Sequence, residues 1–181
     1  TYRFDAIVTN STFRSIIKAT FFNDVAPLFI LWGVDVVSSH YEDTLQFIHQ
    51  GLPRGAAPFF LVHNSTITPL THIQARPMGF HANFAGMMLV VSQTFLNNSQ
   101  RDNFQTFSVW CGTIHNATLV FDNVVANAVI YFQAANLTNL TMRDSRVLHV
   151  ALDRREDMSP MGSIVLERVA MPFGGGIVLR D

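Results

Sequence analysis

The sequence predicts an all-β protein: a right-handed parallel β-helix of about seven degenerate repeats, forming one domain from residue 1 to residue 181. Three observations support this prediction. Short apolar segments of one plan recur along the chain, their residues alternate as in strands, and the composition is rich in apolar residues and poor in charge. A β-sandwich is the alternative, since it also has many short strands at even spacing.

The recurring segment has two or three apolar residues, a polar step, and a further apolar residue six positions after the first. Segments begin 21 to 31 residues apart, a period typical of units that bury an apolar face against the next unit. The sequence does not define the residue at which the second segment begins. The last two fit a spacing of seven better, which predicts a bulge in each. The segments are 7–13, 30–36, 61–67, 89–95, 119–125, 140–147 and 164–171.

A second apolar run follows each segment, and turn-forming residues lie between the runs. Residues 148–152 alternate with the period of two that is expected of a strand. An apolar pattern of helical period is not sustained anywhere in the sequence, so each repeat should contain two or three strands. These second runs lie around residues 16–17, 45–48, 73, 104–110, 129–132, 148–152 and 177–179.

The composition agrees with a parallel β architecture. Apolar residues make up 49% of the chain and charged residues 14%, and parallel strands are usually covered on both faces. Leu61, Leu89, Leu119 and Leu140 occupy equivalent places in their segments. We therefore expect these four side chains to point into one shared core.

The longest apolar stretch, 25–37, is too short and too interrupted for a membrane-spanning helix, which needs about 20 apolar residues. No transmembrane span is predicted. The chain begins without an initiator Met or a signal-peptide pattern, and we interpret it as a piece of a longer β-helix.

Charge and cysteine content narrow the possible partners. The net charge is −1 and there is no basic run, so nucleic acid is not an expected partner. Cys111 is the one cysteine, which excludes an internal disulfide, and it is predicted to pack as a small apolar residue.

Six N-x-S/T triplets occur, where chance would give roughly two. They predict N-glycosylation and hence an extracellular or cell-surface location. Asn-Ser-Thr is also favourable turn chemistry, and the first two triplets occupy the same repeat position, as in a ladder of stacked asparagines. The candidate glycosylation sites are Asn10, Asn64, Asn97, Asn116, Asn136 and Asn139.

Motifs for cofactors and metals were sought in the sequence and not found. There is no phosphate-binding glycine loop, no nucleophile elbow, no H-E-x-x-H and no CxxC pair. The seven histidines lack metal-ligand spacing, and two of them could meet only through the fold, as His63 and His72 would across one repeat. We predict no cofactor and no metal site.

The best catalytic candidates are Asp122, Asp144 and Glu167, which fall near equivalent positions in three successive repeats and could form a row. Glycosidic cleavage needs two carboxyl groups with different protonation states. Arg143 and Arg168 lie beside the row and should keep its members ionised. We therefore predict no catalytic residue.

The stretches LTNLTMRDSRVLHVAL, SIVLERVAM and ATLVFDNVVANAVIYF resemble the repeats of the dispersed gene family surface proteins of trypanosomes. The resemblance covers most of the chain in the style of its repeats. It implies a large, glycosylated, β-helical surface protein of the kind associated with adhesion. The membrane spans of that family are not present in this sequence.

The sequence thus favours a non-catalytic surface or adhesion module that binds an extracellular protein or carbohydrate. The alternatives are a segment of a carbohydrate-active enzyme, either a polysaccharide lyase or a glycoside hydrolase, and a structural spacer. Exposed aromatic residues on a strand face would favour sugar binding. A carboxylate pair in a cleft would favour the enzyme, and a featureless charged surface the spacer.

Overall fold

The computed structural model describes residues 2–14, 17–22, 25–38, 45–50, 58–69, 78–82, 88–96, 105–110, 117–133, 137–153, 162–171 and 176–180. All regular secondary structure in these residues is β-strand, and the strands pair in parallel within two sheets. The all-β class predicted from the sequence is confirmed. No helix in the described part of the chain is long and apolar enough to cross a membrane.

The first sheet contains seven described strands that pair in the order in which they occur along the chain. Each repeat therefore adds one strand beside its predecessor, about 4.8 Å away. The strands are β1 (Tyr2–Thr9), β4 (Val25–Trp32), β7 (Phe59–His63), β10 (Met88–Ser92), β13 (Ala117–Asp122), β15 (Leu137–Arg143) and β17 (Ser163–Glu167).

The second sheet has two arms that merge at β14 (Val125–Gln133). The first residues of this long strand pair with one arm and its last five with the other. The first arm is β2 (Thr12–Phe13), β5 (Asp35–Ser38), β8 (Thr66–Pro69) and β11 (Phe95–Leu96). The second arm is β3 (Ile17–Phe22), β6 (Leu45–Gln50), β9 (Met78–Ala82) and β12 (Gln105–Trp110). On the other side of β14 lie β16 (Arg146–Asp153) and then β18 (Gly176–Arg180).

A corner of two residues joins each first-sheet strand to the second sheet. It is made of a first corner residue with positive φ and a second corner residue, which is buried in the second to sixth repeats. In the sixth repeat these are Asp144 and Ser145, between β15 and β16. We use "repeat" for a first-sheet strand, its corner and the second-sheet strands that follow.

The core lies between the two sheets and is built from columns of like positions. One column contains Phe60, Leu89, Leu119 and Leu140, which pair in register and are at most 1% exposed. Each residue stacks on the equivalent residue of the next repeat, so a single repeat would leave its apolar face open to water.

Leu61 does not belong to this column, and the prediction that it shares a core with the other three leucines is wrong. It pairs with Val90, whereas Phe60 pairs with Leu89. Successive strand residues point to opposite faces. Phe60 is therefore buried, and Leu61 is half-buried on the outer face of the sheet.

The corner explains this shift of one residue. Leu140 and Met142 point inward before the corner, and Ser145 and Val147 point inward after it. Inward-pointing residues of one strand are two positions apart, but the last one before the corner and the first one after it are three apart. The first corner residue adds this extra position, because its positive φ turns the chain. Inward residues on the two sides are therefore seven apart, as Leu140 and Val147 are. The predicted bulge in segments with that spacing is wrong, since seven is the regular value.

Most of the predicted second apolar runs can be compared with described strands. Second apolar runs at 45–48, 104–110, 129–132, 148–152 and 177–179 coincide with or overlap described strands. The run placed at residue 73 lies outside the described residues, and the strand of that repeat is β9.

Candidate functional site

The first corner residues all adopt the left-handed backbone conformation. Their φ angles lie between 47° and 62°. Glycine adopts this conformation readily and asparagine and aspartate tolerate it, while other residues do so at a cost of about 1–2 kcal/mol. Glutamine and arginine also occur here, so the surrounding hydrogen bonds must hold the corner in shape. The residues are Asn10, Gly33, Asn64, Gln93, Asn123, Asp144 and Arg168.

Backbone hydrogen bonds continue through the corners in both directions. The amide of Asn64 donates to the carbonyl of Ser92 in the next repeat, at 3.1 Å. The amide of Thr66 donates to the carbonyl of Val34 in the preceding repeat, at 2.9 Å. The corners are therefore as firmly connected as the strands.

Buried hydroxyl groups complete some of these corners. The Ser145 hydroxyl donates to the Arg143 carbonyl at 2.6 Å and accepts a hydrogen bond from the Val124 amide of the preceding repeat at 3.0 Å. Ser65 makes the same two kinds of contact, at 2.8 and 3.2 Å. A buried amide without such a partner would destabilise the corner by about 1–3 kcal/mol.

The residues just before the corners form a ridge along one border of the outer face of the first sheet. Each pairs in register with the next and points away from the core. Because the strands are adjacent, ridge side chains follow one another at about 4.8 Å. The ridge consists of Thr9, Trp32, His63, Ser92, Asp122, Arg143 and Glu167.

The aromatic end of the ridge is held together by two contacts. The rings of Trp32 and His63 have centroids 4.0 Å apart and planes inclined at 43°. Nδ1 of His63 lies 2.7 Å from Oγ of Ser92, a hydrogen-bond distance. The indole of Trp32 remains 45% exposed, so it offers an aromatic surface to a ligand.

The charged end of the ridge begins with an ion pair. Nη2 of Arg143 lies 3.7 Å from Oδ2 of Asp122, and both side chains are more than two-fifths exposed. Nε of Arg143 is buried and has no hydrogen-bond partner among the described residues. The pair is open to solvent on one side and can exchange partners with a ligand.

Beside the ridge, a second ion pair joins two first corner residues. Nη2 of Arg168 donates to Oδ2 of Asp144 at 2.8 Å, and Nε of Arg168 donates to Oδ1 of the same carboxylate. The hydrogen bonds from Arg168 hold the pKa of Asp144 below its ordinary value, and the positive charges of Arg168 and Arg143 add to this lowering. The same contact raises the pKa of Arg168. Asp144 is therefore ionised at neutral pH.

The predicted row of Asp122, Asp144 and Glu167 does not exist as such. The residue opposite Asp122 is Arg143, and the residue opposite Arg143 is Glu167. Asp144 lies one position further along the chain, at the corner. The two aspartates lie 22 residues apart, whereas the register between β13 and β15 is offset by 21 residues, so Asp144 falls one position past the partner of Asp122.

His63, Ser92 and Asp122 follow one another along the ridge but do not form a catalytic triad. In a triad the carboxylate orients the histidine, which in turn contacts the serine. Here Nδ1 of His63 lies within hydrogen-bond distance of Ser92, but Asp122 comes after Ser92 along the ridge and lies beside Arg143. The histidine therefore has Trp32, not the carboxylate, on its other side. The arrangement presents hydrogen-bonding groups without the order that activates a nucleophile.

The outer face beside the ridge carries an aliphatic column. It runs through Ile7, Ile30, Leu61, Val90 and Val120, then Thr141 and Val165, all paired in register. Ile7 at one end is 66% exposed and Val165 at the other end 38%. An apolar strip on the outer face of a sheet marks a surface suited to binding a partner.

Two of the predicted glycosylation sites lie at equivalent exposed corners. Asn10 and Asn64 are both first corner residues, but Gly33 lies between them, so their side chains do not stack on each other. Asn139 lies in β15, and its Oδ1 accepts a hydrogen bond from the Ser163 hydroxyl at 2.6 Å. The remaining three, Asn97, Asn116 and Asn136, lie outside the described residues.

Other predictions concern residues that the structure does not describe. Cys111 and His72 lie outside the described ranges. His63, which was paired with His72 from the sequence, contacts Trp32 and Ser92 instead. Within the described part of the chain no cluster of three or more His, Cys, Asp or Glu side chains is arranged to hold a metal ion.

Sequence reasoning did not identify the ridge, although a signal was present. Each ridge residue immediately precedes a corner, and a motif such as Asn-Ser or Asp-Ser marks several corners. Aligning the segments on this motif would have brought Thr9, His63 and Arg143 together, but not Trp32 or Ser92, whose corners have other residues. Comparison with models of known protein families, with curated proteins and with solved structures finds no match to this chain.

Proposed function

We propose that this chain is a right-handed parallel β-helix that serves as a non-catalytic extracellular or cell-surface module. It binds an extracellular protein or carbohydrate through the outer face of its first sheet. The fold is supported by the strand order, in which each repeat adds a parallel strand next to the previous one. The location rests on the six N-x-S/T triplets and on the resemblance in repeat style to trypanosome surface proteins.

The observation that carries the proposed binding role is the composition of that outer face. An aliphatic column runs its length, and the ridge beside it carries the exposed indole of Trp32 near one end. Aromatic and aliphatic groups surrounded by polar side chains are typical of recognition surfaces. The described strands beneath them pair in register with their neighbours, so little order has to be gained on binding.

The ion pairs of the carboxylates support a role without catalysis. Asp122 lies beside Arg143, and Asp144 is held in its ionised form by Arg168. A glycosidase needs one carboxylic acid that stays protonated to donate to the leaving group. Asp144 is not placed to remain protonated near neutral pH, and Asp122 lies beside a guanidinium rather than a second carboxyl group.

Binding to defined coatings tests the proposal. The purified chain is passed over immobilised fibronectin, laminin and mucin by biolayer interferometry. The Leu61→Lys/Val90→Lys double variant places two charges in the middle of the aliphatic column, where the long stems reach solvent without disturbing the core. We expect the wild type to bind at least one coating and the double variant to bind at least tenfold more weakly.

Thr66→Lys is the matched control, because it adds a charge on the second sheet at another half-buried strand position. It should bind like the wild type, and circular dichroism should show the same β spectrum for all three proteins. Equal binding by the double variant and the wild type, or no binding to any coating, would overturn the proposed use of this face.

A further inference from the structure

We infer that the ridge is a binding site for a linear, neutral glycan that lies along the direction in which the repeats follow one another. This inference rests on the proposed function and names its ligand class. It is drawn from the order of ridge side chains, from their spacing and from their charge.

The aromatic end provides a platform for one sugar ring. Trp32 is 45% exposed, and its contact with the His63 ring fixes the orientation of the indole. Sugars present an apolar face of C–H groups, which packs on the flat face of an aromatic ring. Tryptophan also brings a large contact area with few rotatable bonds, so it loses little entropy on binding.

Hydrogen-bonding groups follow the platform in a line. His63, Ser92, Asp122 and Arg143 occupy successive strands, so their spacing along the ridge is about 4.8 Å. A pyranose unit in an extended, equatorially linked chain advances by nearly the same length. Each further sugar therefore meets a new donor or acceptor, and the imidazole, hydroxyl, carboxylate and guanidinium together match hydroxyl groups in both roles.

The surface next to this line is apolar. Leu61 and Val90 occupy the aliphatic column two residues before His63 and Ser92 in the same strands. A glycan on the ridge would thus place its C–H groups toward the column and its hydroxyl groups toward the polar line. This two-sided arrangement fits a sugar chain better than it fits a purely apolar peptide segment.

The charge of the ridge selects a neutral chain. Asp122 and Glu167 are acidic and Arg143 is basic, so the ridge does not attract polyanions such as heparin. Arg143 is engaged with Asp122, at 3.7 Å. The guanidinium can therefore donate to one sugar hydroxyl group while the neighbouring carboxylate accepts a hydrogen bond from the next.

Titration calorimetry with the full chain tests this inference. The probes are cellohexaose, chitohexaose and laminarihexaose, their trisaccharides, and a heparin hexasaccharide. We expect at least one neutral hexasaccharide to bind and its trisaccharide to bind at least threefold more weakly, because fewer positions of the ridge are filled. Trp32→Ala should weaken that binding at least tenfold, and Trp32→Phe should restore part of it.

Phe95→Ala is the matched control, since Phe95 is also an exposed aromatic residue but lies on the second sheet, at 38% exposure. It should bind the hexasaccharide like the wild type. Ser92→Ala is a second, independent test of the glycan site, because it removes a ridge hydroxyl group without removing a large side chain.

The outcomes separate this inference from the proposed function. The glycan site is overturned if only heparin binds, if no neutral probe binds at millimolar concentration, or if Trp32→Ala and Ser92→Ala bind like the wild type. If protein coatings still bind in a manner that Leu61→Lys/Val90→Lys abolishes, the docking face stands and the glycan site alone fails.

Discussion

The guanidinium of Arg168 binds both carboxylate oxygens of Asp144 and so joins the corners of the sixth and seventh repeats. Both are first corner residues with left-handed backbone, at φ angles of 51° and 47°. Neither arginine nor aspartate is favoured in that conformation as glycine is. The ion pair adds a side-chain contact to the backbone hydrogen bond that already joins these two repeats. It is exposed, so its contribution to stability is modest and sensitive to salt.

The first prediction concerns the pH dependence of this pair. The folded-state pKa of Asp144 lies below the ordinary value of 3.8. Its stabilising contribution is therefore fully present above that value and is lost as pH falls through the lower folded pKa. Asp144→Asn should lower the urea midpoint at pH 7 in low salt, and the difference from wild type should narrow near pH 2.5.

Asp35→Asn is the control for this experiment, because Asp35 is an exposed aspartate at the start of β5. Its effect on the midpoint at pH 7 should be smaller than that of Asp144→Asn. A difference between wild type and Asp144→Asn that stays the same at both pH values would contradict the account of this pair.

The second prediction compares two leucines that lie on opposite faces of the first sheet. Leu119 is fully buried and Leu61 is half-buried on the outer face. Leu119→Ala should lower the free energy of unfolding by about 2–5 kcal/mol, because it leaves a cavity in the core. Leu61→Ala should cost about 1 kcal/mol or less. Urea denaturation measures both, and costs of equal size would place Leu61 in the core after all.

The third prediction tests the glycine of the second corner. A Cβ at Gly33 would lie 2.8 Å from Oδ1 of Asn10, and the φ angle there is +62°. Gly33→Ala should therefore lower the free energy of unfolding by about 1–2 kcal/mol. Gln93→Ala at an equivalent corner keeps a Cβ that is already present, and should change it by about 0.5 kcal/mol or less. Similar urea midpoints for the two variants would rule out this account of the corner.

The fourth prediction concerns glycosylation. When the chain passes through a eukaryotic secretory pathway, Asn64 should carry a glycan because it lies at an exposed corner. Asn139 should carry little or none, since it lies in a strand and its side chain accepts a hydrogen bond from Ser163. Electrophoretic mobility before and after enzymatic deglycosylation measures the difference for Asn64→Gln and Asn139→Gln. A larger loss of glycan from Asn139→Gln would show that the corner geometry does not govern occupancy.

Much of the fold could be predicted from the sequence, and the errors have one cause. Period, strand content and the number of segments follow from apolar patterning, which depends on local alternation alone. Apolar patterning does not define which face of the sheet an individual residue lies on. A left-handed residue such as Gln93 reverses the strand phase, and nothing in the identity of a glutamine announces a positive φ angle. Leu61 was therefore placed in the core although Phe60 occupies that position.

The candidate site could be predicted only in part for the same reason. Asp122 and Asp144 looked equivalent because both lie at the polar residues in the middle of their segments. The register between β13 and β15 nevertheless places Arg143 opposite Asp122. The contact between Trp32 and His63 joins residues 31 positions apart in the sequence. Such contacts depend on the relative register of repeats of unequal length, which a single degenerate sequence does not define.

The distance between ridge positions tests the stacking of the repeats most directly. Spin labels are attached to cysteines at Thr9 and Asp122, or at Thr9 and Glu167, with Cys111 replaced by serine, and the distances are measured by double electron–electron resonance. The ridge places these pairs four and six strand spacings apart. The account predicts separations of about 19 Å and about 29 Å, each broadened by the label linkers. Separations that do not grow in proportion to the number of repeats, as a β-sandwich would give, would contradict it.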